Sequence, residues 1–274
     1  MSRKLRYHVA APLRWIRGVL GARAFRAVPP VEIDCTPLRR LDPSKLSAML
    51  APDAVLDAWT EDARTLARLA LPEVTGGGVN PGDRRALHAL VLCLAPRTIL
   101  EIGTHVGSST VSLALAARRV GAQIVTCDIA DVNDPSRRPW LDYGSRYAPR
   151  ELVTAAGCDG IVEFRTSDSL EFLGQRSPRF DLIFLDGDHT AGTVYREVPA
   201  ALGALRPGGS IVLHDYYPEN RPLFPHDQAI AGPFLAVERL RREGAELAVL
   251  PLGRLAWRTR AGSNVTSLAV LSRR

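Results

Sequence analysis

The chain has 274 residues, 46% of them hydrophobic and 23% charged, with a formal net charge of +6 at pH 7. This is enough for one sizeable core, and no apolar run reaches the roughly 18 residues that a membrane-spanning helix needs. Residues 1–26 carry seven Lys and Arg and no acidic residue, whereas the remainder carries 28 basic and 29 acidic side chains. The body is therefore almost neutral, which argues against a nucleic-acid-binding protein.

The four cysteines are widely spaced and follow no metal-binding pattern. Four reduced thiols in a cytoplasmic protein are expected, with one disulfide as the alternative. The basic residues 1–26 include Leu13, Ile16 and Leu20 at helical spacing. Two interpretations stay open: a terminal helix with solvated arginines, which we favour, or weak contact with an anionic membrane surface.

Residues 52–71 have the apolar spacing of an amphipathic helix, and three consecutive glycines at 76–78 then interrupt the helical pattern. We place a boundary there, between an N-terminal helical extension (1–77) and a main domain (78–274). The main domain begins with a helix over residues 80–94, because Asn80 is a good N-cap and Pro81 suits the first helical position.

Short apolar runs then alternate with helical stretches. The predicted strands are 98–102, 123–128, 161–165, 180–185, 210–214, 246–251 and 266–271. This alternation predicts an α/β fold with a doubly wound, seven-stranded, mostly parallel sheet. The last two strands are too close for a helix between them, so we expect the final strand to be antiparallel.

A glycine loop follows the first strand, where Gly103 and Gly107 precede a helix. The GxxxG spacing differs from the GxGxxG of dinucleotide-binding proteins. Glu101 just before the turn would repel a pyrophosphate but suits a sulfonium ligand with an α-amino group. Asp128 ends the second strand, where it would accept from two ribose hydroxyls or cap a helix. Asp168 would bind an adenine amino group or cap its own helix.

Polar residues also follow the fourth and fifth strands. Asp186 and His189 come after the fourth strand, and His214 and Asp215 come after the fifth. Carboxyl ends of neighbouring parallel strands meet at one edge of the sheet, so these side chains should converge on one cleft. Leu205-Arg206-Pro207-Gly208-Gly209, before the fifth strand, has proline and glycine in the positions of a type II turn.

The glycine loop, the acid ending the second strand and Leu-Arg-Pro-Gly-Gly resemble the class I methyltransferases. Asn80-Pro81-Gly82-Asp83, Leu100-Glu101-Ile102-Gly103, Phe184-Leu185-Asp186 and Leu213-His214-Asp215 resemble the catechol O-methyltransferase group and related bacterial small-molecule O-methyltransferases. The resemblance covers about residues 78–217. It implies S-adenosylmethionine as cofactor and a small-molecule hydroxyl as methyl acceptor.

The resemblance also implies roles for individual residues. The cofactor's methionine end would be held by Pro81, Glu101, Gly103, His105 and Ser109, its ribose by Asp128, and its adenine by Asp168 and Ser169. Asp186 and Asp215 match carboxylates that bind Mg²⁺ in the group, with Asp186 also beside the cofactor. Tyr216 stands where the catechol enzymes have a third ligand, an amide, so Mg²⁺ dependence stays open. His189 stands in the place of the catalytic base, a lysine in the group, with Asp215 and His214 as further catalytic candidates.

We therefore predict an S-adenosylmethionine-dependent O-methyltransferase with His189 as general base. Two loops, residues 131–149 and 216–230, are rich in aromatic residues and are expected to shape the acceptor site. Two alternatives are a nicotinamide-dependent oxidoreductase and a non-catalytic cofactor-binding module tethered to a membrane surface. The sequence does not separate a monomer from a homo-oligomer.

Overall fold

The computed structural model of the protein describes residues 25–71, 78–175, 179–224 and 229–274. Nearly all of the basic segment 1–26 therefore lies outside the described residues, as does most of the glycine segment at the proposed boundary. Within the described part, no helix is long and apolar enough to cross a membrane. All four cysteines are free thiols, as the sequence predicts.

Helices and strands alternate along the described chain. The α-helices are α1 (Pro43–Met49), α2 (Asp53–Leu69), α3 (Pro81–Leu94), α4 (Ser108–Val120), α5 (Pro149–Ala155), α6 (Ser169–Leu173), α7 (Ala191–Ala204) and α8 (Ala231–Arg242). The strands are β1 (Thr98–Ile102), β2 (Gln123–Asp128), β3 (Val162–Thr166), β4 (Phe180–Leu185), β5 (Leu205–Leu213), β6 (Leu247–Pro251) and β7 (Ala269–Arg273). Short 3₁₀ helices occur at Pro139–Tyr143 and Pro218–Asn220.

The seven strands form one sheet in the order β3-β2-β1-β4-β5-β7-β6. Strands β1 to β5 are parallel, and β7 runs antiparallel between β5 and β6. The predicted fold class and the antiparallel final strand are confirmed. Two boundaries differ, because β7 begins only at Ala269 and β5 already begins at Leu205. The predicted Pro-Gly turn thus lies inside β5, next to an irregular register with β4.

Local sequence explains where the helices around the site begin. Asn80 caps α3 by accepting a hydrogen bond from the backbone N–H of Asp83 at 2.9 Å, with Pro81 at the first helical position. α4 follows Gly107, whose φ of 77° lies in the left-handed region. α4 begins just after β1, and Asp83 in the first turn of α3 lies 3.5 Å from His214, which follows β5. Both helices therefore begin near the carboxyl ends of the strands.

Two hydrophobic clusters hold the helices on the two faces of the sheet. One joins α2, α3 and α4 to β1, and its members include Leu46, Leu50, Val55 and Leu69 from the N-terminal segment. The other joins α7 and α8 to β4 and β5, with Phe25, Val28 and Val31 packed against it. The described residues before position 72 thus share the core of the main domain.

Candidate functional site

The main candidate site lies where the strand order changes direction, between β1 and β4. Crossovers from these two strands leave to opposite faces, which opens a crevice at their carboxyl ends. The crevice contains a cavity of about 430 Å³, within the usual size of a small-molecule site. Its wall includes eight predicted site residues: Gly103, His105, Ser109, Asp128, Asp168, Ser169, Asp186 and His189.

Gly103 lets the loop after β1 approach the loop after β4. Its φ is +96°, and a Cβ atom there would overlap the carbonyl oxygen of Asp186 and lie 3.0 Å from the backbone nitrogen of Gly187. His105 follows with φ at 49°, an uncommon conformation for a residue with a side chain. The floor of the cavity is therefore backbone, and a ligand is able to approach it closely.

Asp128 at the end of β2 links the glycine loop to its own strand. One carboxylate oxygen accepts from the backbone N–H of His105 at 2.9 Å, and the other accepts from Ala130 at 3.1 Å. Asp128 also lines the cavity. It is not a helix cap, which was the alternative interpretation of an acid at this strand end.

Glu101 lies beneath the glycine loop rather than on the cavity wall. Its side chain is fully buried, and one carboxylate oxygen accepts from the hydroxyls of Thr110 at 2.5 Å and Thr126 at 2.7 Å. Burial raises the pKa of Glu101 to about 7, although these hydroxyl groups oppose the shift. Pro81 is an exposed first residue of α3 and is also absent from the wall.

The third strand contributes Asp168 and Ser169. Asp168 caps α6, with its carboxylate accepting from the backbone N–H groups of Leu170 and Glu171 at 2.9 and 3.2 Å. Asp168 also lines the cavity. The same side chain therefore caps the helix and forms part of the cavity wall. Ser169 donates to Glu197 at 2.5 Å. Glu197 is a buried wall residue that the sequence analysis missed, and its pKa is raised by burial.

His189, Asp186, His214 and Asp215 come together as predicted. Nε2 of His189 lies 3.6 Å from Asp215 and 3.8 Å from Asp186. Nδ1 of His214 lies 2.7 Å from Asp186 and 3.6 Å from Asp215. His189 faces the main cavity, whereas His214 and Asp215 lie behind it, with His214 on a small adjoining pocket.

A third carboxylate in this group was not predicted. Asp83, at the start of α3, is fully buried, and its Oδ2 lies 3.5 Å from Nε2 of His214. Burial opposes the charge of His214, but the negative charges of Asp186 and Asp215 outweigh it and raise the pKa of His214 well above its usual value. The Asn80-Pro81-Gly82-Asp83 motif signals a helix start and contains no signal for this long-range contact.

The residues do not fit the Mg²⁺ site that the resemblance implies. In the described segments, no group of three or more His, Cys, Asp or Glu side chains is arranged to hold a metal ion. The ring of His214 stands against both expected carboxylates. Tyr216, at the third ligand position, is buried near Phe234, and burial raises its pKa to about 12. The hard, oxygen-rich coordination that Mg²⁺ prefers is not formed here.

The two aromatic loops differ in their relation to the cavity. In the first, the ring of Tyr143 lies 4.2 Å from the ring of His105, which lines the cavity, and Tyr143 is exposed. In the second, Tyr216, Tyr217 and Phe224 are buried in the fold. His226 and Asp227 lie outside the described residues. The first loop therefore reaches the site, and the described aromatic rings of the second serve the core.

Comparisons with known proteins point to one enzyme class. Residues 100–216 match a sequence family described as a methyltransferase domain. Catechol O-methyltransferase from Niastella koreensis is 28% identical over 197 residues, covering 70% of this chain and 78% of the relative. The solved structure of the O-methyltransferase TomG from Streptomyces achromogenes, in complex with SAM, is 19% identical with a TM-score of 0.52 and covers 84% of this chain and 95% of that one.

A second solved structure has a similar fold. An O-methyltransferase from Bacillus cereus, in complex with SAH, is 24% identical with a TM-score of 0.52, covering 84% of this chain and 96% of that one. At these identities the structural likeness shows a shared fold. The matched family segment runs from Leu100 to Tyr216 and so contains the glycine loop, Asp128 and the four converging residues.

Proposed function

We propose that this chain, which is a class I S-adenosylmethionine-dependent O-methyltransferase, methylates a hydroxyl of a sugar, phenol or natural product with His189 as the general base. The observation that carries this proposal is the position of His189. Its imidazole lines the cavity on one side and contacts Asp186 and Asp215 on the other. A base between a ligand cavity and two carboxylates is the arrangement that proton removal from an acceptor needs.

The cavity fits the cofactor in size and in the character of its wall. Backbone at Gly103 leaves room that a side chain would fill, and Ser109 and His105 lie beside it. We assign these three residues to the methionine end and Asp186 to the adjoining wall. Asp128 would accept from the ribose hydroxyls, and Asp168 and Ser169 would lie by the adenine.

Glu101 and Pro81 are assigned a supporting role. Glu101 is buried beneath the loop and bonded to Thr110 at the start of α4, so it would act by holding the loop in place. Pro81 begins α3 beside the site. When bound, S-adenosylmethionine supplies a methyl group on a positively charged sulfur, which departs as a neutral thioether.

His189 is placed to receive the acceptor's proton. Its Nε2 is turned towards Asp215 and Asp186, which favours the tautomer with the proton on that nitrogen. Nδ1 then accepts the hydroxyl proton as the oxygen–carbon bond forms. The two carboxylates stabilise the resulting imidazolium, and most of the rate comes from holding donor and acceptor in line.

The first prediction tests His189. His189→Ala should lower kcat by about 10²- to 10⁴-fold, because the general base is lost while the residues assigned to the cofactor are unchanged. Transfer of labelled methyl to a panel of hydroxyl acceptors, beginning with catechol, measures the rate. Isothermal calorimetry with S-adenosylhomocysteine should give a Kd close to that of the wild-type protein.

Two results would contradict the proposal. Unchanged turnover in His189→Ala would remove His189 from the mechanism. Absence of heat with S-adenosylhomocysteine, together with tight binding of a nicotinamide nucleotide in the same calorimeter, would favour the oxidoreductase alternative. The cytoplasmic location stays a prediction from the sequence, and homo-oligomer formation and lipid contact of residues 1–26 stay alternatives that the sequence leaves open.

A further inference from the structure

His214 lies among three carboxylates at the back of the site, of which Asp83 is buried and Asp186 and Asp215 are partly buried. Its Nδ1 is 2.7 Å from Asp186 and 3.6 Å from Asp215, and its Nε2 is 3.5 Å from Asp83. The histidine is 7% exposed and Asp83 is fully buried. Among the described residues, His214 is the side chain that contacts all three carboxylates.

Asp83 holds this ring from a different element. Its Oδ2 accepts from the side-chain amide of Asn80 at 2.6 Å, which fixes the carboxylate at the first turn of α3. Its Oδ1 has no hydrogen-bond partner in the described structure. A buried carboxylate needs a compensating positive group, and within the described part of the chain His214 is the basic side chain seen to reach Asp83.

The same ring takes the space that a divalent cation would need. A metal ion shared by Asp186 and Asp215 would lie between their oxygens, and Nδ1 of His214 already contacts Oδ1 of both. Neither ring nitrogen makes a hydrogen bond of good geometry, so charge and packing hold the ring there. Tyr216, beside Asp215, points its buried ring towards Phe234 and supplies no carboxylate or amide oxygen.

We propose that His214, held by Asp83, replaces a divalent metal ion between Asp186 and Asp215, and that methyl transfer by this protein is metal-independent. This inference rests on the proposed function. Asp83 and His214 are positioning residues in it, since they act on the acceptor only through Asp186, Asp215 and His189. His189 performs the proton transfer, and no Lewis acid is needed to orient the acceptor hydroxyl.

Metal binding by the wild-type protein is the direct test. The full chain is dialysed against EDTA and then titrated with Mn²⁺, and free Mn²⁺ is followed by electron paramagnetic resonance. We expect no stoichiometric Mn²⁺ binding and the same methyl-transfer rate with EDTA or with added Mg²⁺. One Mn²⁺ bound per chain, or activity lost in EDTA and restored by Mg²⁺, would overturn the inference.

The role of Asp83 is tested by Asp83→Asn, with Asp62→Asn as a matched control. Asp62 is also a buried partner of a buried histidine, His88, at 2.8 Å, but it lies away from the cavity. We expect Asp83→Asn to lower kcat by about 10- to 100-fold with an S-adenosylhomocysteine Kd within about twofold of wild type. The control should keep its kcat.

Equal kcat in Asp83→Asn and the wild type, or an equal loss in the control, would contradict the positioning role. The Mn²⁺ titration needs no variant to fold, so the inference stays testable if a substitution disrupts the protein. Failure of S-adenosylhomocysteine to bind would count against the proposed function. Mn²⁺ binding with intact S-adenosylhomocysteine binding would count against the metal-independent site alone.

Discussion

Glu101 shows how one buried acid supports the glycine loop. Its carboxyl group bonds to Thr110 on α4 and Thr126 on β2, and it therefore joins three elements at the floor of the site. Burial raises its pKa to about 7 from an ordinary value of 4.5. The folded protein thus binds this proton more tightly than the unfolded chain does.

The second prediction concerns the pH dependence of stability. Because the folded pKa is raised, the contribution of Glu101 is fully present below about pH 4.5 and is lost as the pH rises through about 7. Glu101→Gln should remove this decline, which has a slope of at most about 1.4 kcal/mol per pH unit. Urea unfolding of both proteins between pH 5 and pH 8 measures the difference. Glu163→Gln, at an exposed position on β3, should keep the wild-type slope.

At the scale of elements, the start of α8 packs against the turn that carries His189. A Cβ atom on Gly232 would overlap the carbonyl oxygen of His189 and lie 2.9 Å from the backbone nitrogen of Ala191. These neighbouring atoms of His189 and Ala191 belong to the backbone, so no flexible side chain is there to move aside. The position of His189, the proposed general base, is therefore set by helix packing as well as by the strand that precedes it.

The third prediction follows from this contact. Gly232→Ala should push the His189 turn away from α8 and lower kcat by about 10²-fold, because a shift of about 1 Å is enough to misalign a reacting group. The Kd for S-adenosylhomocysteine should change little. Gly203→Ala on α7 is the control, since a Cβ atom there meets nothing within 4 Å. Equal rates in the two variants would contradict the proposed link between α8 and His189.

At the scale of the whole molecule, a cluster of polar side chains around Asp62 links α2 to the main core. Asp62 on α2 lies 2.8 Å from Nε2 of His88 on α3 and accepts from Nε of Arg119 at 2.6 Å. Hydrogen bonds from His88 and Arg119 lower the pKa of Asp62 against the effect of its burial. The cluster connects the segment before the proposed boundary to two helices of the main domain.

The fourth prediction measures that connection. Asp62→Ala should lower the free energy of unfolding by about 3 to 5 kcal/mol, because it leaves His88 and Arg119 without their buried partner. Equilibrium unfolding in urea should still show one transition if the described segments form one cooperative unit. Asp57→Ala, at an exposed site on the same helix, should cost less than about 0.5 kcal/mol. Similar losses of unfolding free energy in both variants would contradict a stabilising role for the contacts of Asp62 with His88 and Arg119.

Much of the fold was predictable because its signals are local. Apolar runs alternating with helical spacing predict the strands and helices, and the short link before β7 predicts its antiparallel direction. The chain order also predicts that Asp186, His189, His214 and Asp215 meet, since parallel strands end at one edge. The insertion of β7 between β5 and β6 has no such local signal.

By itself, the sequence determined the α/β sheet, the glycine loop and the set of polar residues at the strand ends. Only the tertiary structure decided how those residues divide between the cavity wall and its support. Glu101 lies beneath the loop, and Asp83 reaches His214 from a helix 131 positions earlier in the chain. Periodicity and capping report the burial of a residue within its own element, whereas the pairing of buried charges depends on which elements pack together.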